Sequence, residues 1–148
     1  AIGCNPTKRV RLLICGREVL MTMDFLFDMG TSHPKVHIPV KMSTRERVVQ
    51  AWAHQRILDA AYGEGNYRGV MVLFAETKLD SRNLEVVEIC VPEQWLAYQS
   101  LLAKMDRIYY FDVPARYQAL TETYPNLIAI RQFGNFFIER EEVLHSWA

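Results

Sequence analysis

A single α+β domain with a mixed sheet is the fold class this sequence predicts, and three features predict it. The stretch Leu84 to Val113 changes its apolar period from two to three or four and back, the pattern of strand, helix and strand. Before it, Val10, Leu12 and Ile14, then Val19, Met21, Met23 and Phe25, alternate with polar residues as in half-buried antiparallel strands. With 148 residues, half of them hydrophobic, the chain can bury one substantial core.

Residues 1–8 form a lead-in and 9–42 a small β layer. In that layer Gly16-Arg17 closes a hairpin as a type II′ turn, because glycine supplies the positive φ. Lys35 to Lys41 is a third strand, and Pro39, which has no N–H, assigns it to a sheet edge. Residues 43–62 form a helix opened by the capping-box spacing of Ser43 and Glu46 and covering the sheet with Val49, Trp52, Ala53, Ile57, Ala60 and Ala61. The strand at 69–76 pairs antiparallel with 84–91 across a polar turn at 77–83. Pro92 and Glu93 then start a helix over 93–105, whose stripe of Trp95, Tyr98, Leu101, Leu102 and Met105 packs on the sheet. A right-handed crossover places 107–113 parallel to 84–91. Tyr117, Leu120 and Tyr124 mark a short helix, and Gly134-Asn135 joins 127–133 and 136–140 as a hairpin. The tail from Glu141 is a short helix or cap.

Lysine plus arginine equals aspartate plus glutamate at 17 each, so no global field draws the chain to a polyanion or a membrane surface. No apolar run reaches the roughly 18 residues of a membrane span. Cys4, Cys15 and Cys90 are odd in number and form no CxxC pair, which argues against a disulfide framework or structural zinc and for a reducing, cytoplasmic setting.

Glu88 carries the chemical question, since it is a carboxylate in an otherwise apolar strand. Period two puts Val86, Glu88 and Cys90 on one face, and Gln94 and Tyr98 lie one turn apart on the helix that follows. VVEIC at 86–90, QWLAY at 94–98 and KMDRIYYFDVP at 104–114 resemble the core of the restriction-endonuclease-like superfamily, including its DNA-repair endonucleases. The resemblance spans about 69–139, makes 43–148 a nuclease-like core, and implies nucleic acid as partner and Mg2+ as cofactor of an active member. It implies Glu88, Gln94 and Tyr98 as catalytic candidates and Glu88 with Glu76 or Asp80 as metal ligands. In that family two carboxylates hold a metal that activates water, and an acidic-x-lysine pair supplies the lysine that positions it. Here Cys90 stands at the lysine position and the strand GVMVLFAE lacks the usual aspartate, so a catalytically degenerate member is expected, with weak or no metal binding at Glu88.

Each candidate has a structural alternative. Glu88 can meet Arg68, Arg107 or another basic residue across the sheet, or face solvent at an edge; Cys90 can be a small core residue, and Gln94 and Tyr98 a first-turn polar group and a core aromatic. Lys8, Arg9, Arg11 and Arg17 are phosphate-contact candidates or a solvated strand face. His33 and His37 share a direction but lack a third ligand, His54 and His145 read as surface residues, and Ser32 and Ser43 have no triad context. The second function class is a non-catalytic protein partner or homo-oligomer that uses its aromatic residues and the Gly134 hairpin as a surface.

Overall fold

The computed structural model of the chain describes residues 5–30, 33–43, 48–89 and 91–145. The chain opens with β1 (Thr7–Ile14) and β2 (Arg17–Phe27), antiparallel and in register from Ile14 opposite Arg17. The turn is Cys15-Gly16, one residue earlier than expected, and both residues have positive φ, 51° and 74°. That is the geometry of a type I′ turn, which matches the strand twist.

β3 (Lys35–Ile38) and β4 (Val40–Lys41) follow, broken at Pro39. Proline does not mark an edge here. β3 pairs antiparallel with β2 and parallel with β5 (Tyr67–Leu73), while β4 also runs parallel to β5. The missing N–H falls in the break between the short strands, where the Pro39 carbonyl still accepts from Val72 N at 2.9 Å.

α1 (Val48–Tyr62) is the first long helix; Glu46 of the expected capping box lies outside the described residues. β5 pairs on its other side with β8 (Arg107–Tyr110), and β8 pairs parallel with β9 (Ile130–Gln132). The sheet is therefore mixed, in the order β1-β2-β3-β5-β8-β9 with β4 beside β5. It runs without interruption from the opening hairpin into the later strands.

The segment at 84–91 is placed differently from expectation. β6 (Thr77–Asp80) and β7 (Glu85–Glu88) form a separate antiparallel two-stranded ribbon, within what read as a polar turn and a core strand. β5 has β3 and β4 on one flank and β8 on the other, so no hydrogen-bonding edge is left for β7. Leu79, Leu84 and Val86 of this ribbon are accordingly exposed. Composition showed β propensity here, but propensity does not choose the partner.

α2 (Pro92–Leu101) begins with proline in its first turn as expected and stops earlier than 105. α3 (Ala115–Thr123) follows β8. α1, α2 and α3 share one core cluster with the sheet: Trp52 and Trp95 meet edge to face at 5.1 Å, and Trp95 lies against Tyr117 at 4.5 Å. Leu73, Ile108 and Tyr110 supply the strand side of that cluster. The other face carries Val36, Val70 and Tyr109, packed with Val143 and Leu144. Those last two belong to α4 (Asn135–His145), which replaces the expected Gly134 hairpin. Phe136, Val143 and Leu144 recur at helical spacing, and Glu139 joins Arg107 and Arg131 at 3.0 Å each, fastening the helix to the sheet.

Candidate functional site

The strands bring one carboxylate and one ammonium together where the sequence showed only alternation. Asp24 Oδ2, on β2, accepts from Lys41 Nζ on β4 at 2.9 Å and from the Val40 backbone N–H at 2.9 Å. Their side chains keep 37% and 19% of their exposure, so the pair is half sunk into the sheet yet open to a ligand. Burial pushes the Asp24 carboxyl up; the Lys41 ammonium and the Val40 N–H outweigh it, and the carboxyl is held below its usual range. Oδ1 of the same carboxylate has no hydrogen-bond partner among the described residues.

α1 adds an imidazole. His54 is half-buried, not a surface residue, and burial lowers its pKa with the Lys41 ammonium adding to the effect against Asp24. Both effects favour the neutral ring. His37, on β3, is completely buried, and its ring centre lies 6.3 Å from that of His54. Desolvation lowers the His37 pKa to about 4. Period two explains the grouping: His37 lies opposite Gly69 and Lys41 opposite Leu73, so both take the sheet face that α1 covers.

The residues singled out from sequence are dispersed. Glu88 is exposed and its Oε1 accepts from Ala115 N at 3.2 Å, which caps the first turn of α3. It meets neither expected arginine: Arg68 pairs with Asp106 at 2.6 Å, and Arg107 with Glu139 and Glu142. Glu76 is fully buried and accepts from the Tyr110 hydroxyl at 2.8 Å. Asp80 accepts from Arg82 N at 3.0 Å and Asn83 Nδ2 at 3.2 Å, closing the β6-β7 turn. Among the described residues no three of His, Cys, Asp and Glu gather as a metal-holding group, so Glu88, Glu76 and Asp80 do not form the expected ligand set. Gln94 and Tyr98 do meet, at 3.4 Å, and the Tyr98 ring packs on Trp52 at 5.4 Å. Cys90 lies outside the described residues, as do Cys4 and Ser32.

Arg9, Arg11 and Arg17 are exposed on the opening hairpin, with Arg11 near Glu18 at 3.8 Å and Lys8 over the Phe25 ring. Among the described residues no hydrogen bond or ion pair joins them to Asp24. His33 lines a shallow cavity with Asp28, Lys35 and Tyr62. His37 instead reaches His54, the neighbour that sequence spacing did not suggest.

Lys41 closes the segment Pro39-Val40-Lys41, in which proline and not a carboxylate stands two residues before the lysine. Asp24 supplies the carboxylate from the neighbouring strand, reaching the N–H of the middle residue. The signal available in sequence was the one that drew attention to Glu88: Asp24 is a carboxylate between Met23 and Phe25.

No protein-family model and no curated protein matches the sequence. Among solved structures the chain is similar to the Type IIP restriction endonuclease Kpn2I, at 35% identity and a TM-score of 0.71 over 80% of this chain and 39% of that one. It also resembles restriction endonuclease PspGI, solved in complex with substrate DNA, at 22% identity and a TM-score of 0.50 over 74% of this chain and 40% of that one. The chain thus spans about two-fifths of the length of each protein it matches. Its fold is restriction-endonuclease-like.

Proposed function

From a restriction-endonuclease-like fold as premise, we propose that Asp24, Lys41 and His54 form the reacting part of a nuclease site that hydrolyses phosphodiester bonds in DNA. The single observation that carries this reading is the half-buried Asp24–Lys41 pair, which the sheet fixes through the Val40 N–H. It replaces the degenerate reading centred on Glu88, because the lysine absent at position 90 is present at 41.

In the reaction, a water oxygen attacks phosphorus, the P–O bond to the leaving sugar oxygen breaks, the attacking water's proton passes to neutral His54, and the leaving oxygen takes a proton from solvent water. The Lys41 ammonium faces the charge that develops on the phosphoryl oxygens and is already in place, so no reorganisation is needed as that charge grows. Half-burial strengthens its field relative to bulk water.

A divalent ion fits this donor set in one specific way. Asp24 Oδ1 is the oxygen left for it, and magnesium commonly uses one or two carboxylates with water and substrate phosphate completing its shell. When bound, such an ion supplies Lewis acidity and lowers the pKa of its water. One protein carboxylate implies that affinity is low until DNA is present.

The test is cleavage of duplex DNA with Mg2+ or Mn2+ by the wild-type chain, D24N and K41M, alongside binding measured at rising salt. The expected result is cleavage by wild type, lost in both variants, with DNA affinity that falls as salt rises. Equal cleavage by all of them, or no DNA binding at low salt, removes the proposal.

A second reading, compatible with the first, rests on an exposed apolar row. Met42 and Phe74 lie one residue beyond the Lys41–Leu73 pair, Phe111 lies one beyond Tyr110, and Phe137 and Ile138 follow on α4. Their exposures run from 48% at Phe111 to 85% at Ile138, and Phe74, Phe111, Phe133 and Phe137 form a chain of ring contacts. Such a row suits a protein partner or a second copy. Sedimentation of wild type against F137K checks it: a concentration-dependent dimer that the substitution abolishes supports it, and a monomer at every concentration excludes the second copy.

A further inference from the structure

Two polar side chains sit fully inside the fold behind the Asp24–Lys41 pair. His37 is 0% exposed and Gln55, on α1, is 1% exposed. Gln55 Nε2 donates to the Tyr67 carbonyl at 2.8 Å and to Asp59 Oδ1 at 2.9 Å. Both partners are acceptors, so this end of the amide is the NH2 end, and Oε1 is the end that faces His37 Nδ1 at 3.1 Å. An amide oxygen can only accept. His37 therefore carries its proton on Nδ1 and has a bare lone pair on Nε2.

The surroundings are built to keep this arrangement. A Cβ on Gly69, directly opposite His37 in the sheet, would come within 2.8 Å of Gln55 Oε1 and 2.5 Å of Met105 Sδ. Glycine leaves the space that the amide fills. Asp59, half-buried, fixes the other end of Gln55. Yet His37 Nε2 is buried with no hydrogen-bond partner among the described residues. Leaving a buried acceptor unsatisfied is unfavourable, and a donor at that atom would recover the loss.

His54 is the polar ring nearest to hand, at 6.3 Å between centroids and 45° between planes. A hydrogen bond of about 2.8 Å beyond a ring radius of about 1.2 Å puts a bridging water oxygen about 4 Å from each centroid. A 6.3 Å separation then subtends about 104° at that oxygen, close to tetrahedral. A metal held by both rings at about 2.1 Å would need an angle of about 145° at the same separation, which tetrahedral coordination does not give. The spacing leaves room for one water between the rings, and among the described residues no three metal-ligating side chains gather here.

The geometry points to His37 as a positioning residue of the nuclease site: held by Gln55 as the Nδ1–H tautomer, it accepts from one buried water that in turn orients His54. This rests on the proposed role of His54, and it adds a residue and a water to that role. The chain Asp59, Gln55, His37, water, His54 then fixes which nitrogen of His54 is free to take the proton, as second partners of catalytic imidazoles commonly do.

Nitrogen-15 NMR of the wild-type protein at neutral pH tests the buried part without any variant. The expected result is an Nδ1–H tautomer for His37 and magnetisation transfer between its ring protons and a long-lived water. An Nε2–H tautomer, or rings in direct contact with no water signal, overturns the inference. Cleavage kinetics test the functional part: H37F should lower kcat about 10–100-fold with KM unchanged, while H37Q, which restores an acceptor near the Nε2 position, should stay within about 3-fold of wild type. Wild-type kcat in H37F, or equal loss in H37F and H37Q, overturns it. If the wild-type protein cleaves no DNA, the nuclease reading falls on that result, and the NMR experiment still decides whether the buried bridge exists.

Discussion

Replacing Lys41 by methionine isolates the interaction on which the site rests. At 2.9 Å and an effective dielectric near 20, the attraction between Lys41 and Asp24 is about 6 kcal/mol before desolvation is counted. Asp24 keeps 37% and Lys41 19% of their side-chain exposure, so water screens the pair and much of that attraction offsets the cost of taking both charges out of water. K41M leaves the Asp24 carboxylate with the Val40 N–H alone, and a loss of about 1–2 kcal/mol in folding stability is the expected cost of that partial orphaning. D24N should cost a similar amount, because it leaves the ammonium half-buried. In the double variant neither charge is stranded, so the two losses should fall short of additivity by about 1 kcal/mol. Urea denaturation at pH 7 of the four proteins closes the cycle. Additivity within about 0.5 kcal/mol would refute the reasoning, since it would mean that the two groups do not sense each other in solution.

Lowering the pH should destabilise the fold through His37. Its folded pKa is depressed to about 4 while the unfolded chain takes the proton near 6.5, so unfolding binds a proton throughout that window. The His37 contribution should reach about 3 kcal/mol by pH 4, and in H37F the loss from pH 7 to 4 should be smaller by about that amount, with His54, whose pKa burial also lowers, supplying part of what remains; denaturation midpoints would show both. Asp24 works in the same direction further down: its depressed pKa gives stability that is present above the unfolded value and disappears as pH falls through the folded one. Gly69→Ala should cost more than the usual effect of such a change, about 2 kcal/mol or more, because the new Cβ meets Gln55 and Met105 in a packed core; thermal unfolding measures it. Glu88→Gln should lower stability by less than about 1 kcal/mol and leave DNA cleavage intact, as fits an exposed cap of α3.

The layers of this fold were readable because burial writes a period into the sequence. Val10 and Leu12, the run into Leu73, and Trp95 with its helical neighbours all reported the face they bury, and proline before Glu93 marked where α2 begins. Pairing was not readable by the same means. Val86 and Val87 have the composition of a core strand, yet both flanks of β5 are taken by strands from elsewhere in the chain, and the choice is made by long-range contacts that leave no local trace. Gly134-Asn135 shows the same limit. It has hairpin chemistry, but Phe136, Val143 and Leu144 gain more by covering the sheet as a helix than a hairpin arm could provide.

The site was hidden for a related reason. A lone carboxylate in an apolar strand is a sound reason to look for a partner, and both Asp24 and Glu88 satisfy it. What separates them is the strand next door. Glu88 lies on a ribbon outside the main sheet, where solvent and the first turn of α3 suffice for its charge. Asp24 lies where β2 passes the break at Pro39, and that break lets one carboxylate oxygen take both the Val40 N–H and the Lys41 ammonium. Proline at 39, read from sequence as the mark of an edge, is thus the residue whose interruption of the strand sits beside the charged pair. The buried residues behind it follow one rule: Gly69 has no side chain because Gln55 needs the room, and Gln55 needs the room because His37 is there. A fold indifferent to His37 could fill that space with a leucine and a valine and avoid two buried polar side chains. The presence of both beside a charged pair is therefore an argument about chemistry and not about packing.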